Sequence, residues 1–229
     1  MPRPEELIHK SEQARETALE TASHLLDIGA VNFSPEDPYT FTSGRVSPSY
    51  IDCRRVIAFP EAREAMTARA VQLIERDIGL DNIDVVAGGE TAGIPYAAFI
   101  AVALGKPMVY VRKAPKGFGR MAQIEGALDE GARVLLVEDL TTDGGSKVKF
   151  VEALRNAGAV VDHTYVVFHY GIFPEVWKTM GEIGVKLHAL ATWWDVLEVA
   201  RSQHTFTDEQ LDSVEEYLDA PDNWTPMGG

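Results

Sequence analysis

The chain has 229 residues, 45% of them hydrophobic and 24% charged, which is the balance of a folded globular protein rather than of a disordered or membrane-embedded one. Acidic residues outnumber basic ones by 35 to 21, for a formal charge of −14. A broad attraction to nucleic acid or to an anionic membrane surface is therefore excluded, and any polyanionic ligand must be gripped locally. No apolar run approaches the roughly 20 residues of a membrane helix, and the polar start Met1-Pro-Arg-Pro-Glu-Glu lacks the apolar core of a secretion signal, so a cytoplasmic location is expected. Cys53 is the only cysteine, which leaves no intrachain disulfide and no cysteine-based metal cage.

In chain order, residues 11–28 carry Ala14, Ala18, Ala22, Leu25 and Leu26 near the helical period, and Gly29 stands where a helix commonly stops. Residues 39–42 and 49–52 are short, aromatic and β-branched, and are separated by a Ser-Gly-Arg loop; they predict a β-hairpin outside the main sheet. From Pro60 onward helices and strands alternate. A helix runs through Met66, Ala70, Leu73 and Ile74, then come a buried strand 83–87, a Gly88-Gly89 turn, a helix 93–104 and a strand 108–112. Residues 113–126 are rich in glycine and lysine and show no period. Strand 133–137, helix 145–157, strand 160–168, a helix from Pro174 and strand 186–190 follow. Such alternation predicts an α/β fold with a central, mostly parallel sheet flanked by helices, with ligands bound beyond the strand carboxyl ends. The tail reads as two polar, peripheral helices around Val196 and Leu211. The sequence shows no repeat and no linker, so one domain over 1–229 is expected: an N-terminal helix and hairpin hood (11–59), an α/β core (60–191) and a helical tail (192–229).

The chemistry concentrates where strand 133–137 ends. Glu138 and Asp139 place two carboxylates at the ligand edge, suited to accept hydrogen bonds from sugar hydroxyls or to hold water around a divalent cation. Thr141, Thr142 and Ser146 supply hydroxyl donors for a phosphate. Gly144 and Gly145 allow backbone N–H groups to close around that phosphate at a helix start, where the dipole favours an anion. An isolated Asp-Gly-Gly turn fits a plain helix cap as well, but the order of elements around this one favours a ligand loop.

Four apolar strand residues, an acidic pair, an apolar residue and then Thr141-Thr142-Asp143-Gly144-Gly145-Ser146 resemble the phosphoribosyl-pyrophosphate signature of type I phosphoribosyltransferases. The resemblance implies that Glu138 and Asp139 hold the donor's ribose hydroxyls and that Leu140 to Ser146 cradle its monophosphate. Two further segments are similar to the orotate branch. Tyr110-Val-Arg112-Lys113-Ala-Pro-Lys116-Gly-Phe-Gly-Arg120 resembles its mobile catalytic loop, whose cations would neutralise departing pyrophosphate while closure excludes water. Phe41-Thr42-Ser43-Gly44-Arg45-Val-Ser47-Pro48-Ser-Tyr50-Ile51 resembles the hairpin that covers the orotate base, with Tyr50 as a stacking face and Ser43, Arg45, Ile51 and Thr142 as further base contacts. The loop from Gly88 to Pro95, with Glu90 and Thr91, resembles the one whose amides meet the pyrophosphate and in which a non-proline cis peptide is common.

What this implies is transfer of ribose phosphate to orotate, with magnesium bound mainly through the donor and water rather than by protein ligands, no covalent enzyme intermediate, and a homodimer whose mobile loop reaches the neighbouring site. Three departures stand against the family pattern. Thr42 and Ala92 occupy positions where lysines are common, Phe118 replaces a histidine, and 166–171 lack the arginine found near the orotate carboxylate, leaving Arg45 or His169 to compensate. A phosphoribosyltransferase for a purine or another base, and a regulator that senses the donor without catalysis, are the alternatives.

Overall fold

The computed structural model of the chain describes residues 11–41, 44–117, 119 and 121–227. The chain divides into two compact units, one of residues 1–62, 170–172 and 191–229 and the other of residues 63–169 and 173–190. Among the described residues no helix is long and apolar enough to cross a membrane.

The larger unit holds a six-stranded sheet. In chain order it contains β5 (Val85–Gly89), α3 (Gly93–Leu104), β6 (Met108–Val111), β7 (Ile124–Glu125), β8 (Arg133–Thr141), α4 (Gly145–Asn156), β9 (Val160–His169), α5 (Glu175–Glu182) and β10 (Lys186–Thr192), preceded by α2 (Pro60–Asp77). The spatial order is β10-β9-β8-β5-β6-β7. Strands β6, β5, β8 and β9 run parallel to one another, and β7 returns antiparallel on β6. Both faces are apolar. Val85, Ala87, Val109, Val111, Val134 and Leu136 pack with Phe150, Val151 and Leu154 of α4 and Val176 and Met180 of α5. The alternate residues Val86, Leu135 and Val137 point to the other face and are buried too. At the amino end of the sheet, the Arg133 guanidinium and backbone N–H bind both oxygens of Asp84 at 2.6–2.8 Å, pinning the β5–β8 register. That pairing holds the Asp84 carboxyl well below the usual range, through the Arg133 side-chain and then backbone hydrogen bonds.

The sequence places the β5 strand at 83–87, whereas the ladder runs to Gly89. Glycine has little strand propensity, but here its lack of a side chain is what lets the strand continue, because the backbone of α3 beside Gly88 and the Glu138 and Phe150 side chains beside Gly89 fill the space a Cβ would need. β8 likewise continues four residues beyond the apolar run, since a backbone ladder tolerates Glu138 and Asp139 at the sheet's edge. The two-residue strand β7, inside the stretch without a period, is too short to leave a signal.

The smaller unit contains α1 (Glu12–Asp27), β1 (Val31–Phe33), β2 (Tyr39–Thr40), β3 (Val46–Ser47), β4 (Ser49–Ile51), a 3-10 turn over Cys53–Ala58, α6 (Trp193–Gln203) and α7 (Asp208–Asp219). α1 starts where predicted, with the Ser11 hydroxyl accepting from Ala14 N. The hairpin is paired differently from expectation. Tyr39–Thr40 pairs with Val46–Ser47, and Ser49–Ile51 pairs instead with Val31–Phe33, a strand that the sequence pattern does not reveal. Pro48 explains the switch: it has no N–H to give a ladder, and its carbonyl accepts from Ser34 N at 2.8 Å, redirecting the chain toward β1.

The tail is a second correction. Trp193, Val196, Leu197 and Ala200 of α6 and Leu211, Val214, Tyr217 and Leu218 of α7 are buried, so these helices form the core of this unit rather than its periphery. Phe33 and Tyr170 pack on Trp193 with ring centroids 5.9 and 5.5 Å away. Capping boxes, Thr192 with Asp195 and Thr207 with Gln210, fix where each helix begins.

Candidate active site

β8 carries Glu138 and Asp139 to the carboxyl end of the sheet, the edge where open α/β sheets bind ligands. The chain then turns sharply through Thr142, Asp143 and Gly144 into α4. Gly144 has φ of +86°, a left-handed conformation that favours glycine, while the Met180 Cε that a Cβ would meet at 2.8 Å is the flexible end of its side chain. The Asp143 carboxylate accepts from Gly145 N at 3.0 Å and from the Thr142 hydroxyl at 3.4 Å, which sets the turn. Gly144 gives α4 no side-chain cap, and the positive end of the helix dipole falls at this turn. A loop of small, hydroxyl-bearing residues at a helix amino end has the chemistry to hold an anion such as a phosphate.

The two carboxylates, equivalent in the sequence, are separated by the fold. Glu138 is 6% exposed and faces α4, where it takes an ion pair from Lys147 Nζ at 2.7 Å and a hydrogen bond from the Ser146 hydroxyl at 3.1 Å. Asp139 alternates to the other side of the strand and remains partly exposed. Burial pushes its carboxyl pKa up, opposed by the Leu140 backbone and the Lys147 charge. The Leu140 carbonyl accepts from Lys147 Nζ, and Thr141 is buried in the strand. Sequence reasoning misses Lys147. Nine positions separate it from Glu138, a spacing that no local pattern marks as a pair.

Beside this turn, β5 ends in Gly88 and Gly89. A Cβ on Gly89 would strike the Glu138 carboxylate and lie 2.8 Å from Phe150, and one on Gly93 would strike the Val137 carbonyl. The Glu90–Thr91 peptide bond is cis, as the resemblance implies. Glu90 N donates to Val111 O at 2.9 Å, and its carboxylate accepts from Lys113 N at 2.7 Å, so Glu90 anchors the start of the lysine-rich loop. Arg112 contacts Glu125 at 3.4 Å, while Lys113 and Lys116 are exposed. The loop is the long tip of the β6–β7 hairpin, closed by Arg112 N to Gln123 O and Lys116 N to Ala122 O. Phe118 and Arg120 lie outside the described residues.

In the other unit, Tyr50 is half-buried with its ring 5.3 Å from that of Tyr39, and Ile51 is buried. Arg45 pairs with Asp222 of the tail at 2.8 Å, an exposed and individually weak ion pair. Ser43 and Thr42 lie outside the described residues. No sequence feature marks Asp222 as a partner of Arg45.

His169, at the end of β9 opposite Thr141, is fully buried. Burial pushes its pKa down to about 4, with the Lys147 charge acting the same way; neither ring nitrogen makes a well-aligned hydrogen bond, although the Thr141 backbone is near enough to oppose the shift. A neutral, buried imidazole has no charge to offer a substrate carboxylate. Its cost appears on acidification: the unfolded chain takes up a proton near pH 6.5 that the folded chain refuses until about pH 4. Stability present above pH 6.5 is thus lost as pH falls through that window, by about 2 kcal/mol at pH 5. Denaturant unfolding at pH 7 and pH 5 is expected to show a larger loss in the wild type than in His169→Phe, where His163, also shifted down by burial, still contributes.

The family described as Phosphoribosyl transferase domain matches residues 60–185 of the chain. Over 211 residues the chain is 56% identical to the orotate phosphoribosyltransferase of Ruegeria sp. (strain TM1040), an alignment covering 92% of this chain and 93% of that protein. It is 54% identical to that of Roseobacter denitrificans (strain ATCC 33942 / OCh 114), covering 92% and 94%. Among solved structures, the orotate phosphoribosyltransferase of Aeropyrum pernix is similar with a TM-score of 0.68 and 31% identity over 81% of this chain and 99% of that one. The UMP synthase of Leishmania donovani is similar with a TM-score of 0.74 and 27% identity over 87% of this chain, which spans 42% of that longer protein. The chain belongs to the phosphoribosyltransferases and, within them, to the orotate phosphoribosyltransferase family.

Proposed function

We infer that the chain transfers ribose phosphate from phosphoribosyl pyrophosphate to a ring nitrogen of orotate, forming orotidine monophosphate and pyrophosphate in pyrimidine synthesis. The observation that carries the donor side is the strand end at Asp139 leading through a glycine turn into the start of α4, whose N-cap Gly144 supplies no side chain. In this proposal Asp139 accepts hydrogen bonds from the ribose hydroxyls, and Thr141, Thr142, Asp143, Gly144, Gly145 and Ser146 surround the monophosphate. Glu138 supports the site from within the fold, and Glu90 and Thr91 with their backbone serve the pyrophosphate.

Breaking the bond from the anomeric carbon to pyrophosphate leaves positive charge on the ribose and negative charge on the leaving group. Arg112, Lys113 and Lys116 are proposed to meet that leaving charge, with Lys113 or Lys116 assisting as an acid. The orotate nitrogen then attacks an oxocarbenium-like centre, and no enzyme nucleophile is required. Tyr50, Ile51, Ser43, Arg45 and Thr142 are proposed to orient the base. Magnesium is part of the proposal. The hard oxygen of Asp139 suits its bound waters, and the ion would be held mainly through the donor's oxygens and water. When bound it screens the donor's phosphate charge. A homodimer in which the lysine-rich loop serves the neighbouring site, and a cytoplasmic location, complete the proposal.

Pyrophosphate release with donor, magnesium and, in turn, orotate, uracil, adenine and hypoxanthine tests it. Turnover with orotate alone is expected. Turnover with a purine but not orotate would overturn the acceptor, and donor binding without turnover on any base would make the chain a sensor.

A further inference from the structure

Lys147 is the most deeply buried cation among the described residues of the larger unit, with 2% of its side chain exposed. Taking an ammonium out of water is costly, and it persists in a folded protein only where its donors are used. Here its partners are the Glu138 carboxylate at 2.7 Å, the Leu140 carbonyl and, at 3.3 Å, the Ser146 hydroxyl. These three groups belong to the strand end, the entry of the phosphate turn and the first helical residues beyond it. One side chain thus ties together both flanks of the turn.

We propose that Lys147 is a positioning residue for the donor: it holds Glu138 inside the fold and fixes the Leu140 carbonyl, so that Asp139 and the turn amides keep the geometry that receives the ribose phosphate. The division of labour between the two carboxylates follows from this strap. Asp139 is the carboxylate that meets the donor, and Glu138 serves as the counter-ion of the strap. Gly89 completes the arrangement, because any side chain there would strike the Glu138 carboxylate.

The inference rests on the donor assignment above, and its test is read by donor binding so that an error in the acceptor does not obscure it. Calorimetric titration of phosphoribosyl pyrophosphate with magnesium is compared for the wild type, Lys147→Met and the double variant Lys147→Met/Glu138→Gln. The single variant leaves a buried carboxylate without its counter-ion and is expected to lose stability; the double variant is matched in volume and free of charge, so it keeps the fold. In both, donor affinity is expected to fall about tenfold or more, the scale of a lost charged hydrogen bond. In steady state the donor KM is expected to rise while the KM for the base stays within about twofold. If donor affinity in the double variant matches the wild type, Lys147 is a stability element only and the proposal fails. If the wild type itself does not bind the donor, the donor assignment fails instead.

Discussion

Gly93→Ala is expected to lower the melting temperature by about 5–10 °C, from a cost of about 2–3 kcal/mol. The first turn of α3 lies directly against the central strand. A Cβ at Gly93 would strike the Val137 carbonyl and sit 3.2 Å from Glu138 Cα. These are backbone atoms of a strand paired on both sides, so they cannot swing away as a side chain would. Relief requires moving α3 off the sheet, which drags the Glu90–Thr91 turn away from the strand end that carries Asp139. Donor KM should therefore rise along with the loss of stability. Gly181→Ala is the matched control: in α5 nothing lies within 4 Å of a Cβ there, and the better helix propensity of alanine should leave stability unchanged or slightly higher. An unchanged melting temperature in Gly93→Ala would mean that α3 does not approach β8 this closely.

Sequence and structure agree best where pattern is dictated by backbone period. The strands of the sheet are apolar on both faces and bounded by turns, so their existence and order are readable, as is the glycine turn after Asp139. Pairing is less readable in the hood, where ladders of two or three residues carry no period and the position of Pro48 decides the partner. The burial of α6 has a signal, since Trp193, Val196, Leu197 and Ala200 recur at helical spacing; the intervening polar residues obscure it. At the site, residue types predict the kind of ligand but not the roles of the two adjacent acids. Neighbours on a strand point to opposite sides, and what lies on each side is a tertiary fact: Lys147 from α4 for Glu138, a partly open edge for Asp139.

Asp139 is the residue on which the donor assignment most directly depends. Its carboxyl is held above the usual range chiefly by burial. The folded state therefore binds the proton more readily than the unfolded one, and above both pKa values the ionised group costs stability. In the proposed role, this desolvated carboxylate at the carboxyl end of the sheet would accept hydrogen bonds from the ribose hydroxyls. Asp139→Asn removes the charge and replaces one acceptor oxygen with a donor, so hydrogen bonds from two ribose hydroxyls cannot both be kept. The loss is expected to be about 1.5–3 kcal/mol of donor binding, or about tenfold to a hundredfold in affinity. Stability at pH 7 should be unchanged or slightly higher, because the desolvation penalty is gone. The deciding measurement is calorimetric titration of phosphoribosyl pyrophosphate with magnesium into the wild type and Asp139→Asn at pH 7. Tight binding by the wild type, with at least tenfold weaker binding by a variant of undiminished melting temperature, is the predicted result, and equal affinity in the two would contradict it.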